Sequence, residues 1–175
     1  NAIKKHWGGV KFNLILYATP PITFNKVIKN IRKRTGARTY LMLKDIFPQN
    51  AVDLKMFSRS SIFYKLFRKK ERQLYEISDK IGCMSPANMR YVVEHNPEVD
   101  SSKVELCPNA VELVDIPELT QDKKKEILKG YNIPTDKTIY VYGGNLGKPQ
   151  GIDFLMQVVE TNEQREDSFI VIEGT

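Results

Sequence analysis

The stretch that most constrains the fold is residues 138–158, which reads TIYVYGGNLGKPQGIDFLMQV. A β-branched and aromatic run is followed by a glycine-rich loop and then by apolar residues at helical spacing, which predicts a strand, a tight loop and a helix. In an open parallel sheet, such a loop lies beyond the carboxyl end of its strand, and the next helix points its positive N-terminal end toward it. The stretch therefore predicts an α/β fold with a place for an anion.

The loop supplies the groups that bind an anion, because glycines allow φ > 0 and a close approach of backbone N–H groups, and side chains add further donors. An alternative interpretation is that these glycines only form an ordinary turn between a strand and a helix and bind no anion. A Walker-type loop is excluded by Pro149 after Gly147-Lys148, and the spacing of a dinucleotide fingerprint is also absent. The candidate residues are Gly143, Gly144, Asn145, Leu146, Gly147, Lys148, Gln150 and Gly151, with φ > 0 predicted at all four glycines.

The composition is that of a soluble globular protein, with 41% hydrophobic and 27% charged residues among 175. No apolar run reaches the length of about 18 residues that a membrane span needs.

The chain begins at Asn1 without a signal-peptide pattern, so we interpret it as a piece of a longer protein. Cys83 and Cys107 are too few for a disulfide framework or a zinc site, and we expect buried free thiols in a reducing compartment and no metal. His6 and His95 are expected at the surface.

The charge is unevenly distributed along the chain. Residues 1–110 carry 20 Lys and Arg against 9 Asp and Glu, whereas residues 111–175 carry 7 against 12. This asymmetry and the Pro108-Asn109 punctuation favour two domains, which we predict at residues 1–112 and 113–175.

Strand and helix patterns alternate along both parts, which predicts Rossmann-like parallel sheets with right-handed crossovers. The run over residues 13–19 is nearly all apolar, so we expect it to be buried on both faces. The second part offers two strands and two helices, which is too small a core for an independent domain. The predicted strands are 13–19, 37–43, 80–84, 103–107, 137–142 and 168–172, and the predicted helices are 24–34, 61–77, 86–95, 121–131 and 151–164.

The helix predicted after Ser60 or Ser61 has an apolar side and a basic side. The apolar side is expected to comprise Ile62, Phe63, Leu66, Phe67, Leu74 and Ile77. The basic side is expected to contact an anionic membrane that carries a lipid-linked acceptor, or another anion, unless it is simply solvated. Its residues are Lys65, Arg68, Lys69, Lys70 and Arg72.

The sequence GGNLGKPQG between a strand and a helix resembles the donor-phosphate loop of the family 4 glycosyltransferases, which have the GT-B fold of two Rossmann-like domains. Most members have Arg and Lys where this chain has Asn145 and Gln150. That departure resembles a subgroup of bacterial amino-sugar transferases of surface-polysaccharide assembly. Asn and Gln supply hydrogen bonds without charge, and Lys148 could restore one positive charge.

Other segments agree with the same resemblance over most of residues 13–174. Asp45-Ile46-Phe47-Pro48 is similar to the D-x-[WF]-P element of that subgroup, and Glu71 matches its usual acidic position. Ser85 matches a serine after the third strand, and Leu106–Ala110 is similar to the segment that leads into the second domain.

The resemblance implies a partial GT-B fold and a retaining, hexosyltransferase-type enzyme. It would use a nucleotide-diphosphate sugar, without a cofactor or an obligatory metal, and a glycan or lipid-linked acceptor. The implied pathway is capsule, O-antigen or exopolysaccharide synthesis, in the cytoplasm or at the inner face of the plasma membrane. The family's paired glutamates and its acceptor loop fall outside residues 1–175, so we expect this piece to be inactive alone.

Asp45 follows a predicted strand, where α/β proteins collect active-site groups, and is our candidate catalytic residue. The alternative is that it caps the turn at Phe47-Pro48. Two other functions stay open. A non-enzymatic nucleic-acid-binding module would use the basic first part, although its aromatic residues fit core positions better than a stacking platform. A GT-B-like nucleotide-sugar epimerase would keep the fold and change the chemistry.

Overall fold

The computed structural model describes residues 2–175 and divides the chain into two compact units. The first unit ends at Val111 and the second spans Glu112–Thr175. Each unit holds a sheet of parallel strands, which confirms the predicted α/β class.

The first unit alternates helices and strands along the chain. Its strands are close to the predicted ranges, and the short α3, which follows Pro48, was not predicted. Its elements are α1 (Ala2–Trp7), β1 (Leu14–Thr19), α2 (Asn25–Thr35), β2 (Arg38–Leu43), α3 (Gln49–Asp53), α4 (Ile62–Ile77), β3 (Lys80–Cys83), α5 (Pro86–His95) and β4 (Val104–Leu106).

The strands of the first sheet lie in their chain order, β1-β2-β3-β4. Because every right-handed crossover then moves in the same direction, the helices between the strands fall on the same face of the sheet. The core is consistent with this, since it joins one face of the strands to residues of α2, α4 and α5. Its buried members are Ile22, Ile28, Leu41, Leu43, Leu74, Tyr75, Ile81, Cys83, Val92 and Val104.

The prediction that the first strand is buried on both faces is wrong. Leu14 and Leu16 are 56% and 59% exposed, whereas Ile15 and Tyr17 pack against the core. β1 lies at the edge of the sheet, and Leu14 and Leu16 are not among the residues that pack against the core of the first unit. A continuous apolar run therefore does not guarantee two covered faces.

The helix α4 begins after Ser61, whose hydroxyl accepts a hydrogen bond from the Phe63 N–H as predicted. The predicted apolar side is wrong for its first turns, because Ile62, Phe63 and Leu66 are exposed. At 3.6 residues per turn, positions 62, 66, 69 and 73 lie within about 60° of one another, opposite the buried Glu71 and Tyr75. Apolar and basic residues therefore share the outer side of this helix.

A polar network closes the amino end of the first sheet. The Asp79 carboxylate accepts hydrogen bonds from the Thr39 N–H at 2.8 Å and the Thr39 hydroxyl at 3.1 Å, and it pairs with the Arg32 guanidinium at 2.7 Å. Burial alone would raise the pKa of Asp79, but the Thr39 hydrogen bonds and the Arg32 charge outweigh it, so that the pKa is lowered.

This lowered pKa predicts that Asp79 stabilises the protein above the pKa of the unfolded chain and that the contribution disappears as the pH falls through the folded-state pKa. We expect Asp79→Asn to lower the thermal midpoint at pH 7 and to differ less from the wild type near pH 3. Because the pair is partly exposed, the effect at pH 7 should be at most about 1 kcal/mol. Asp136→Asn, at an exposed loop position, is the control. An equal loss at both pH values would contradict the linkage.

The second unit contains α6 (Gln121–Gly130), β5 (Thr138–Gly143), α7 (Ile152–Asn162) and β6 (Ser168–Glu173). The predicted cap at Thr120 is confirmed, since its hydroxyl accepts a hydrogen bond from the Lys123 N–H. β5 and β6 pair in parallel from Thr138–Ser168 to Gly143–Glu173. The carboxyl ends of the two strands therefore meet where the glycine-rich loop begins.

Candidate functional site

The glycine-rich loop joins the carboxyl end of β5 to the N-terminus of α7. It contains one turn of 3₁₀ helix at Lys148–Gln150, and Gly151 leads directly into Ile152. The side chains of Asn145, Lys148 and Gln150 are all exposed within their unit. The predicted strand, loop and helix are thus present in that order.

Two of the four loop glycines adopt the backbone conformation that was predicted for all of them. Gly144 has φ 153° and Gly151 has φ 71°. The prediction is wrong for Gly143 and Gly147, and Gly147 has φ −120°, which any residue can adopt. A Cβ on Gly147 would instead lie 3.1 Å from Oε1 of Gln150. Its lack of a side chain leaves room for the Gln150 amide.

The chain after β6 holds the loop in place. The Gly144 N–H donates to the Glu173 carbonyl at 3.0 Å, and the Leu146 N–H donates to the Thr175 carbonyl at 3.1 Å. A Cβ on Gly174 would clash with the Gly144 carbonyl oxygen. The Tyr142 hydroxyl also donates to the Asn145 carbonyl at 3.0 Å. The loop therefore has a conformation set by protein contacts.

Other amides of the loop have no such partner. Within residues 2–175, no acceptor receives the N–H groups of Asn145, Gly147 and Lys148, or those of Ile152 and Asp153 in the first turn of α7. The N-terminal end of a helix carries a partial positive charge that favours anions. Asp153 places a carboxylate in the same turn. The remaining N–H groups can donate hydrogen bonds to the oxygens of a phosphate group.

Asp45 lies just after β2, at the carboxyl edge of the first sheet. Its backbone carbonyl accepts a hydrogen bond from the Thr19 hydroxyl at 3.3 Å, and the residue is exposed. In the turn-capping alternative, the carboxylate would accept a hydrogen bond from the turn at Phe47-Pro48, and the described part of the chain shows none. The carboxylate is thus available to solvent.

The predicted basic side of α4 divides into two kinds of residue. Lys65 and Lys69 are exposed, and Lys70 is half-buried. Arg68 and Arg72 are paired, with Glu71 at 2.6 Å and with Glu98 at 3.1 Å. The Arg68–Glu71 pair lies within α4, whereas the Arg72–Glu98 pair ties α4 to the segment after α5.

Arg68 belongs to a buried network that the charge pattern did not reveal. Its guanidinium also donates to the His95 carbonyl and to the Asn96 side chain, each at 2.7 Å. Glu71 is only 3% exposed and accepts a hydrogen bond from the Tyr75 hydroxyl at 2.7 Å. Burial raises the pKa of Glu71, against the opposing effects of Tyr75 and Arg68. The spacing of Arg68, Glu71 and Tyr75 on one helix is the signal that could have revealed this network.

The side chains of His95, Cys83 and Cys107 could in principle carry chemistry, but their contacts and burial indicate structural roles. The exposed His95 ring stacks on Tyr91, with centroids 3.9 Å apart. Burial raises the pKa of the Cys83 thiol to about 11, whereas Cys107 is half-buried rather than buried as predicted. Residues 2–175 contain no group of side chains that could hold a metal ion, and no helix there is long and apolar enough to cross a membrane.

Comparison with known proteins gives a distant similarity. No family profile matches the chain. Over 162 residues, the chain is 23% identical to the "Probable glycosyltransferase WbjE" of Pseudomonas aeruginosa. The alignment covers 91% of this chain, which spans 39% of the length of that relative. The chain is thus similar to part of a protein named as a probable glycosyltransferase.

Proposed function

We propose that this chain is part of a glycosyltransferase of GT-B architecture, in which the first unit serves the acceptor and the second unit binds the donor. The donor is a nucleotide-diphosphate sugar, and the acceptor is a glycan or a lipid-linked sugar. The proposed pathway is bacterial surface-polysaccharide synthesis in the cytoplasm, at the inner face of the plasma membrane. The similarity to the Pseudomonas relative supports the transferase class.

The observation that carries the proposal is the group of unpartnered amides in the glycine-rich loop and in the first turn of α7, which follows it. The N–H groups of Asn145, Gly147 and Lys148 have no backbone partner, so a diphosphate bound at the loop can gain hydrogen bonds from them and the favourable charge at the N-terminus of α7. As the bond to the sugar breaks, negative charge develops on the leaving diphosphate, and fixed donors stabilise it without reorganising. The Lys148 ammonium and the Asn145 and Gln150 amides add further donors, and we propose that no metal is obligatory, as the family resemblance implies.

Asp45 is the candidate catalytic residue on the acceptor side. Its exposed carboxylate at the carboxyl edge of the first sheet is placed where α/β proteins bind substrates. We propose that it orients the acceptor or the transferred sugar during a retaining reaction. Contact with an anionic membrane would bring a lipid-linked acceptor to this edge.

The test uses the full-length protein and a panel of nucleotide-diphosphate sugars, with product analysis for sugar transfer and for epimerisation. We expect transfer from at least one donor. Asn145→Ala with Gln150→Ala removes side-chain donors to a charged group, so we expect the donor KM to rise about tenfold to a hundredfold. The double variant leaves the backbone donors in place.

The control for this experiment is Gln164→Ala, which removes an exposed amide from the same unit beyond the end of α7. Its donor KM should equal that of the wild type. An unchanged donor KM in the Asn145 and Gln150 variant would overturn the assignment of the loop. Epimerised donor without transfer would favour the epimerase instead.

A further inference from the structure

Two neighbouring cavities follow the line along which α2 packs against α4 in the first unit. Their volumes are about 260 Å³ and about 1050 Å³, and Lys29, Glu76 and Ile77 line both of them. Together they form one groove, the α2–α4 groove. Its other polar lining residues include Asn25, Lys26, Lys33, Arg38, Lys70 and Gln73.

Hydrogen bonds across its floor fix the shape of the α2–α4 groove. At one end, the Asn25 side-chain amide donates to the side-chain carbonyl of Gln73, and Asn25 is only 7% exposed. At the other end, the Arg32 guanidinium donates to the Ile77 carbonyl at 2.9 Å and pairs with Asp79. The groove is therefore set by contacts within the protein, and the Arg32 and Asp79 charges are already paired.

Three lysines of α2 form a row along this groove. Lys26, Lys29 and Lys33 are exposed, and at 3.6 residues per turn they lie within about 60° of one another. Like charges three or four positions apart on a helix repel each other and destabilise it. None of the three forms an ion pair within residues 2–175. A bound polyanion would relieve this repulsion.

The other charged residues leave the groove positive. Arg38 and Lys70 add two cations that form no ion pair in the described part of the chain, whereas Lys80 pairs with Glu105 at 3.4 Å. Glu76 adds one carboxylate without an ion pair there. Within residues 2–175, five unpaired cations of the lining thus face one unpaired carboxylate.

We propose that the α2–α4 groove binds an anionic polysaccharide, whose sugars offer carboxylates to the lysines and hydroxyl groups to the Gln73 amide. The choice of a glycan rests on the proposed function, which places the chain in polysaccharide synthesis, whereas the groove and its charge do not depend on it. A polymer held there keeps its growing end near the enzyme, which raises the effective concentration of the acceptor.

Two other polyanions fit the groove less well. A bilayer presents a flat surface, whereas these cations line a concave groove. Single-stranded nucleic acid binds through aromatic side chains on which its bases stack. The lining within residues 2–175 contains one aromatic side chain, that of Tyr40, whose hydroxyl donates to Glu105 at 2.9 Å. A flexible chain of charged sugars needs neither a flat surface nor a stacking platform.

The test measures binding of the full-length protein to fluorescent oligogalacturonate, in which every sugar carries a carboxylate, by fluorescence anisotropy. We expect binding that weakens as the salt concentration rises, because exposed charges are screened. The methyl-esterified oligomer, which has the same sugars without the charge, should not bind. Lys26→Gln with Lys29→Gln and Lys33→Gln should raise Kd about tenfold, since three surface ion pairs are lost.

The matched control is Lys4→Gln with Lys5→Gln and Lys11→Gln, which removes the same charge from exposed residues outside the groove. Its Kd should equal that of the wild type. Thermal melts check folding, and the groove variant should melt no lower than the wild type because the repulsion in the row is gone. If it fails to fold, Lys29→Glu is compared with Lys5→Glu, and only the former should weaken binding.

The inference is wrong if the wild type does not bind oligogalacturonate, if the esterified oligomer binds equally, or if the control variants lose as much affinity as the groove variants. Tighter binding to oligonucleotides or to anionic vesicles at the same salt concentration would also contradict it. The assay contains no sugar donor, so the two proposals fail separately. A protein that transfers sugar without binding the oligomer contradicts only this inference, and one that binds it without transferring sugar contradicts only the proposed function.

Discussion

Replacing Glu71 by Ala is expected to lower the free energy of unfolding by about 3–5 kcal/mol, which is the cost of removing one member of a buried ion pair. The carboxylate is buried, with the Arg68 guanidinium at 2.6 Å and the Tyr75 hydroxyl at 2.7 Å. The substitution leaves a cation and a hydroxyl without this partner and opens a cavity beside Leu74. Urea unfolding of the purified protein measures the change.

Glu76→Ala is the matched control for this prediction, since it removes an exposed glutamate from the same helix. It should change the unfolding free energy by no more than about 0.5 kcal/mol. Glu71→Gln keeps the shape and one acceptor, so it should fall between the two. If Glu71→Ala proved no more costly than the control, the Arg68–Glu71–Tyr75 network would not be a stabilising element.

Gly174→Ala is expected to have the largest effect on activity. A Cβ at this position would clash with the Gly144 carbonyl and lie 3.1 Å from Cγ of Leu146. Backbone cannot yield as a flexible side chain does, so the loop has to move. Under the proposed function, a displaced donor loop should lower kcat/KM of the full-length protein about a hundredfold, as expected when catalytic groups are misplaced by about 1 Å.

The control is Gly130→Ala, in the same unit, because a Cβ there would meet no atom within 4 Å. Its kcat/KM should match that of the wild type. Thermal melts of both variants separate a displaced loop from an unfolded unit. Full activity in a folded Gly174→Ala protein would show that the clash is relieved without moving the donor loop.

Local patterns were sufficient to predict the elements of the fold. The caps at Ser61 and Thr120, the strand at Thr138–Gly143 and the parallel α/β class all follow from short-range chemistry. The loop after β5 was predicted for the same reason, because glycines between a strand and a helix form a short-range pattern. Its role in binding a donor is a proposal that the structure supports through its free amides.

The errors came from features that depend on the neighbours of an element. The exposed side of β1 follows from its place at the edge of a sheet whose strands lie in chain order. On α4, counting apolar residues assigned Ile62 and Leu66 to the core, although their angular position puts them opposite Glu71. A buried glutamate among basic residues is invisible to a hydrophobic pattern, and only its spacing to Arg68 and Tyr75 indicates it.

The order of the strands in the first sheet also determines how the unit meets other molecules. The helices between the strands lie on one face of the first sheet, and Leu14 and Leu16 of β1 are exposed. β1 is also an edge strand, so within residues 2–175 its backbone pairs with another strand only on the side of β2. An edge strand of this kind offers unpaired backbone N–H and C=O groups next to exposed apolar side chains. Both features favour pairing with an additional strand. An uncovered edge of this kind is therefore a place where a further strand can pair with β1.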